Sequence, residues 1–223
     1  MISEKDKQLV DPHRVAVLVI DMHKGHLGEE DPRGALCPTL LGRTIIPALE
    51  SFLEEARALG IPIIFPRFTA RRDFVDCKMK FWCTEKVLSG APRFHELNVE
   101  PVPPDWYVIQ PQAQDYEVTS KKRYSAFYGT DLEILLRCLD VETLVLTGID
   151  TDVCVMSTAW DAVNRDYLAF ILRDCTHCST EEDKQAALGI MDRWIGWVMD
   201  SQEFLHMIRE LRDARATPEV RLE

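Results

Sequence analysis

The run VAVLVI at Val15–Ile20 constrains the fold more than any other stretch, because its six apolar residues have no polar interruption and stop abruptly at Asp21. A strand with one wet face alternates apolar and polar residues, so a continuous run marks a strand covered on both faces. After a loop containing Gly and Pro, from Gly25 to Pro38, the residues Ile45, Ile46, Leu49, Phe52, Leu53, Ala56 and Leu59 keep helical spacing up to Gly60. A second short strand, IPIIFP, starts at Ile61. This strand–helix–strand unit implies parallel strands and a right-handed crossover.

The alternation continues along the chain. Asp115–Ser120, Leu144–Leu146, Tyr167–Leu172 and Trp197–Met199 read as strands. Helices are predicted through Leu132, Leu135, Leu136 and Leu139, with Thr130 and Glu133 at capping-box spacing, then after Cys154, from Thr180 and Asp183 through Met191, and over Ser201–Arg212. The expected fold class is α/β: a doubly wound, mainly parallel sheet of about six strands with helices on both faces, in a single domain spanning 1–223. Residues 67–114 break the pattern with basic residues, aromatics and prolines. They read as a lid or pocket-wall excursion holding one helix and a short strand near Trp106–Ile109. Arg67, Arg71 and Arg72 within it either bind a substrate carboxylate or belong to a solvated charged loop.

The stretch LVLTGIDTDVCVMSTAWDAVNR, Leu144–Arg165, packs a strand, a tight turn at Gly148, a cysteine and a helix start into one unit. Thr151 and Asp152 offer cap oxygens, and Val155, Thr158, Ala159 and Ala162 form the inward helix face. Cys154 sits where the helix begins, and there the dipole and free N–H groups lower a thiol's pKa. The alternative is an inert buried filler. Asp21, Lys121 and Cys154 all stand at or just past the C-terminal ends of predicted parallel strands, which share one edge of such a sheet. If the strands of Asp21 and Cys154 are neighbours where strand order reverses, the carboxylate can accept the thiol proton while an ammonium offsets the charges. Asp21 alone could equally be a loop carboxylate or a cap.

The motifs D-x-x after the first strand, K-x-R-Y-S-A-F-x-G-T-D-L before a helix, and G-I-x-T-D-x-C-V after a strand resemble those of the isochorismatase-like cysteine hydrolases, a group that includes nicotinamidases and N-carbamoylsarcosine amidohydrolase. The resemblance spans roughly Arg14 to Leu205. It implies a catalytic triad of Asp21, Lys121 and Cys154. Lys122 competes for the middle role, but Lys121 stands four residues before Ser125, as the family lysine does. It also implies a cis peptide at Ile149–Asp150 and an oxyanion hole from the backbone N–H groups of Asp150 and Cys154. The implied reaction is hydrolysis of a C–N bond in a small amide, carbamoyl or related compound through a thioester. Arg67, Phe68, Tyr124 and Phe127 are the candidate substrate contacts, and the family habit implies a dimer or tetramer.

Departures from the family pattern narrow this expectation. Nicotinamidases carry a metal site built from an Asp and histidines, and no such spacing occurs here, His23 and His26 lying too close to Asp21. No catalytic metal and no cofactor are therefore expected. Isochorismatases proper lack the nucleophilic cysteine, so Cys154 argues against vinyl-ether cleavage, which stays as an alternative beside a non-catalytic binding or redox-responsive role. Asp150, an acid within the oxyanion turn, contacts a substrate amine or points to solvent. Cys175 and Cys178 form a lone C-x-x-C without a second ligand pair. Trp160 and Trp194 pack against the sheet or at a subunit contact.

Composition sets the outer bounds. A formal net charge of -11 disfavours nucleic acid and anionic membrane as partners, since both would be repelled. Seven cysteines at irregular spacing fit reduced thiols in a cytoplasmic protein. No apolar run approaches the roughly 18 residues of a membrane span, and the charged N-terminus has no signal-peptide core. The expected partner is a small-molecule substrate.

Overall fold

The apolar run at Val15–Ile20 forms strand β1, and every residue of it is buried. In the computed structural model, which describes residues 2–23, 44–73, 75–77, 100–102, 107–178 and 180–216, β1 lies inside a parallel sheet of six strands. The strands are β1, β2 (Ile63–Phe68), β3 (Tyr116–Lys121), β4 (Thr143–Ile149), β5 (Leu168–His177) and β6 (Trp197–Met199). Their spatial order is β3-β2-β1-β4-β5-β6, with every pairing parallel. The order reverses between β1 and β4, which defines the point where ligands bind in doubly wound sheets. The α/β architecture expected from the sequence is the one observed.

The helices divide between the two faces because successive strand residues point to opposite sides. Val15, Val17 and Val19 join the core under α2 (Ile46–Ala58) and α6 (Ser201–Ala216), where Phe52 and Phe204 meet edge to face at 6.3 Å. Ala16, Leu18 and Ile20 join the opposite core under α3 (Leu132–Cys138), α4 (Met156–Val163) and α5 (Glu181–Trp194). Each fully buried Phe or Leu contributes roughly 1.5–3 kcal/mol, so both faces of one strand anchor a separate helix layer. A single turn, α1 (Glu4–Lys7), precedes β1, capped by Ser3.

Several local expectations are corrected. Asp131 occupies the N-cap position of α3, Thr130 Oγ1 accepts from Leu132 N–H, and Glu133 pairs with Arg137 and Arg165 instead of closing a capping box. Thr180 does cap α5, accepting from Asp183 N–H at 3.1 Å. β5 runs on to His177, because one β4 residue between Leu146 and Gly148 faces four on β5 between Ile171 and Thr176. Among the described residues near Ile109 there is an antiparallel bridge between Tyr107 and His23 and no strand, and Trp106 lies outside them. In the excursion a 3₁₀ turn covers Val75–Cys77, and 78–99 lies outside the described residues. Trp160 and Trp194 are 40% and 68% exposed, so neither packs against the sheet.

Gly148 is where sheet and site join. Its φ is +98°, and a Cβ there would sit 2.1 Å from the Ile20 carbonyl oxygen, so β4 passes the end of β1 more closely than any side chain allows. Gly189, in α5, has open space around its α-carbon. Gly148→Ala is therefore expected to destabilise the fold by about 3 kcal/mol or more. Gly189→Ala should stabilise it by about 0.5–1 kcal/mol, and chemical denaturation of both variants checks the contrast.

Candidate active site

β1 ends at a residue that the strand conformation cannot continue through. Asp21 has φ +53°, in the left-handed region where Asp is among the few side chains tolerated. Its backbone N–H donates to Pro66 O on β2, its carbonyl accepts from His23 N–H, and its carboxylate turns into the sheet edge with no solvent exposure. There Oδ1 accepts from Phe68 N–H at 2.8 Å and Oδ2 accepts from Lys121 Nζ at 2.6 Å.

Lys121 is the last residue of β3, two strands away from β1. Neighbouring strands lie about 4.8 Å apart, so only a long side chain crosses β2 to reach Asp21. It does so over Phe68, its partner in register, with Nζ 5.8 Å from the ring centre. Nζ also lies 3.5 Å from Cys154 Sγ. Lys122 turns elsewhere, to Thr69 Oγ1 at 2.7 Å and Glu100 Oε1 at 3.3 Å, which separates the two lysines that the sequence left in competition.

Cys154 enters from the other side of the switch point. The peptide Ile149–Asp150 is cis, and Thr151–Val155 then forms a π-turn that runs into α4. Val153 and Val155 both donate to Asp150 O, and Cys154 lies between them in the first turn, where a helix leaves N–H groups without acceptors in its own ladder. The expected caps are absent: Asp150 holds the N-cap position without a side-chain cap bond, and Thr151 Oγ1 is buried without a hydrogen-bond partner. What fixes the turn is Thr158, whose hydroxyl donates to Cys154 O at 2.7 Å and accepts from Ala126 N–H at 3.0 Å. The S-A-F part of the lysine motif thereby holds the cysteine helix.

Electrostatics reverse one expectation. Burial pushes the Cys154 thiol well above the ordinary cysteine range, the Lys121 ammonium acts against that, and the Asp21 and Asp150 carboxylates add to it. Burial and the two carboxylates thus favour the protonated thiol over the thiolate, against the pull of Lys121. The helix-start argument failed because Cys154 is only 5% exposed, so lost hydration outweighs the dipole. Lys121 behaves differently: burial works against its charge, but Asp21 and Cys154 overcome this and raise its pKa above 10.5. With Asp21 ionised, the contribution of Lys121 is fully present below the ordinary lysine value and is lost as pH rises through the elevated one.

The remaining predicted residues separate. Phe68, 2% exposed, belongs to the site through its N–H and its ring. Arg67 is grouped instead with Tyr107 and Glu117, its guanidinium carbon 5.9 Å from the Tyr107 ring centre and Nε 3.6 Å from Glu117. Tyr107 packs on Phe65 in the opposite core from Cys154. Phe127 stacks near Tyr167 and under Arg165, while Tyr124 is 40% exposed. Arg71 and Arg72 are exposed. Cys175 and Cys178 are both buried and free. His23, weighed in the sequence only as a metal ligand, is fully buried with Nε2 3.8 Å from Asp21 Oδ1. Its fixed distance from Asp21 on the strand end was the signal available. Among the described residues no three His, Cys, Asp or Glu side chains converge as a metal site, and His26 lies outside them.

Removing one partner of a buried ion pair strands the other charge. Lys121→Ala is accordingly expected to destabilise the protein by about 3–5 kcal/mol. Lys122→Ala, at a part-exposed pair, should change stability by less than about 1 kcal/mol. Urea denaturation at pH 7 distinguishes the two lysines.

The comparisons with known proteins agree with this geometry. Residues 15–203 match the family model described as the isochorismatase domain. The chain is 30% identical over 223 residues to the ureidoacrylate amidohydrolase RutB of Serratia proteamaculans (strain 568), covering 88% of this chain and 84% of that protein. Among solved structures, a cysteine hydrolase from Pseudomonas syringae pv. phaseolicola 1448A superposes with TM-score 0.75 at 27% identity, covering 91% of this chain and 95% of that one. An isochorismatase-like hydrolase from Alkaliphilus metalliredigens gives 0.70 at 28% identity, covering 89% and 98%. A match across nearly the whole sheet, together with the Asp, Lys and Cys at its switch point, means that the chain belongs to the isochorismatase family.

Proposed function

We propose that the protein is a cysteine amidohydrolase that cleaves a C–N bond of a small amide, carbamoyl or related substrate. The observation that carries the reading is the convergence of Lys121 Nζ on Asp21 Oδ2 at 2.6 Å and Cys154 Sγ at 3.5 Å, all three side chains closed off from solvent. The relative named for ureidoacrylate supports a carbamoyl-type substrate.

In the proposed cycle Asp21 takes the Cys154 thiol proton, and the thiolate attacks the substrate carbonyl carbon. The Lys121 ammonium offsets the carboxylate and the thiolate as the proton moves between them. The N–H groups of Asp150 and Cys154 receive the tetrahedral oxyanion, a contribution typically of about 3–4 kcal/mol. When the C–N bond breaks, Asp21 gives its proton to the departing nitrogen and a thioester remains. Asp21 then removes a proton from water, the hydroxide displaces the cysteine sulfur, and the proton returns to Cys154. The products are ammonia or an amine and a carboxylic acid, or a carbamate when the substrate is a carbamoyl compound.

A thiol held above the ordinary cysteine range suits this cycle, because the nucleophile forms only when a base stands beside it. The excursion 67–114 serves as a pocket wall in this reading, and the setting is cytoplasmic, where thiols stay reduced. We place a second copy of the chain over α4 and α5, where Trp160, Ile190 and Trp194 are each at least 40% exposed.

Two outcomes are expected. Cys154→Ala should lower turnover of any amide that the wild type hydrolyses by about 10⁴-fold or more, with the melting transition retained, and mass spectrometry of quenched wild type should find an acyl adduct on Cys154. Full turnover by the variant would instead indicate chemistry without a nucleophile. Light scattering should report a dimer or larger assembly for the wild type and a smaller mass for Trp160→Asp/Trp194→Asp.

A further inference from the structure

Lys122 stands next to the triad lysine without sharing its partners, and its part-buried ammonium gathers three acceptors of its own. Nζ donates to Thr69 Oγ1 at 2.7 Å and to Glu100 Oε1 at 3.3 Å, and pairs with Asp76 Oδ2 at 3.7 Å. Thr69, fully buried, is the hub of the group. Its hydroxyl lies 2.7 Å from Glu100 Oε1 and 3.0 Å from Thr119 O, the two acceptors for its single proton, and receives the Lys122 bond on a lone pair. Its backbone N–H donates to Lys121 O at 3.2 Å, and Glu100 N–H donates to Ala70 O at 3.0 Å.

The group sits where the sheet ladder is irregular. Between Pro66↔Val118 and Phe68↔Lys121, two steps along β2 face three along β3, and Pro66 has no N–H to give. On the other side of β2 the strand β1 is ending: the two are in register at Val17 and Leu18, and Asp21 N–H then donates to Pro66 O. Phe68 lies beyond these points, so its backbone takes its place from β3, through the N–H and hydroxyl of Thr69. Phe68 is also the residue whose N–H donates to Asp21 Oδ1 at 2.8 Å. A bond donated to a carboxylate favours its ionised form, which is the form a base requires.

Resting on the amidohydrolase reading, we infer that Lys122 is a positioning residue, which together with Thr69 and Glu100 fastens the end of β2 to β3 so that Phe68 N–H stays on Asp21 Oδ1. It touches no reacting atom. Loosening the fastening leaves the Lys121–Asp21 pair in place but weakens the Phe68 bond, and Asp21 then takes up a proton at higher pH.

The probe is iodoacetamide. Cys154 sulfur bonds to its CH2 carbon, iodide leaves, and Asp21 takes the thiol proton, so the rate falls once Asp21 is already protonated. Mass spectrometry of the Cys154 peptide separates this cysteine from the rest of the seven. Among the described residues the titratable groups facing the Asp21 carboxylate are Lys121, Cys154 and His23, and no variant alters them. Lys122→Met should move the acid limb of the rate–pH profile up by about 0.5–1 pH unit, with the urea midpoint nearly unchanged. Loss of a positive charge acting through space would move the limb the same way, so two further variants decide. Thr69→Val changes no charge and should still move the limb up. Glu100→Gln removes a negative charge, which through space would move the limb down, and should instead move it up; it serves if the valine variant does not fold. A limb that stays in place in Lys122→Met, or that follows charge alone across the set, would overturn the inference and leave the amidohydrolase reading standing. A wild-type Cys154 that reacts only in alkaline solution, as a buried thiol without a base, would overturn both.

Discussion

The buried contact between Lys121 and Asp21 is the interaction to which the rest of the arrangement answers. Two charges without solvent exposure are tolerable only at close range and with their remaining valences filled. Each nearby feature contributes to that condition. The left-handed turn at Asp21 directs the carboxylate inward, Phe68 N–H fills its second oxygen, and the Phe68 ring underlies the ammonium. Gly148 lets β4 pass close enough for the cysteine turn to close the third side. A parallel sheet whose order reverses between β1 and β4 supplies all of this at one edge.

Much of this was legible before the coordinates. Val15–Ile20 could hardly be anything except an interior strand, because burial on both faces removes the polar alternation that other strands show. The ends of such strands then pointed to Asp21, Lys121 and Cys154. The choice of Lys121 over Lys122 rested on motif spacing in the sequence, and in the structure it rests on the partners each ammonium reaches, Asp21 for Lys121 and Thr69 and Glu100 for Lys122. Other features depend on tertiary context and left no local mark. The thiol's environment is one, since helix position suggested a lowered pKa and only burial reveals the opposite. The extension of β5 to His177 is another, because the apolar run stops at Leu172, and only the pairing of Gly148 and Ile149 with Thr176 and His177 carries the strand through the polar residues RDCTH. Arg67 resembled a pocket residue by type, yet the face on which it lies is set by strand register.

The site also separates two kinds of requirement. In the proposed cycle proton transfer uses three side chains, one just past β1, one at the end of β3 and one at the start of the helix after β4, all in the buried sheet edge. Recognition in that reading falls to the residues around the turn and to the proposed pocket wall between β2 and β3. The first set has almost no freedom to vary without exposing a charge or opening a void. The second can change length and composition without disturbing the ion pair.

The prolonged β5 gives this separation a mechanical basis. Because Thr176 and His177 lie alongside Gly148 and Ile149, the backbone that leads into the cysteine turn is a rung of the sheet up to the residue before Asp150. A turn seated in this way moves with the sheet and not with the loops above it. Loops can open, close or be replaced while the distance between the two proposed oxyanion donors stays fixed, so such a scaffold can acquire a new substrate without having to rebuild its chemistry.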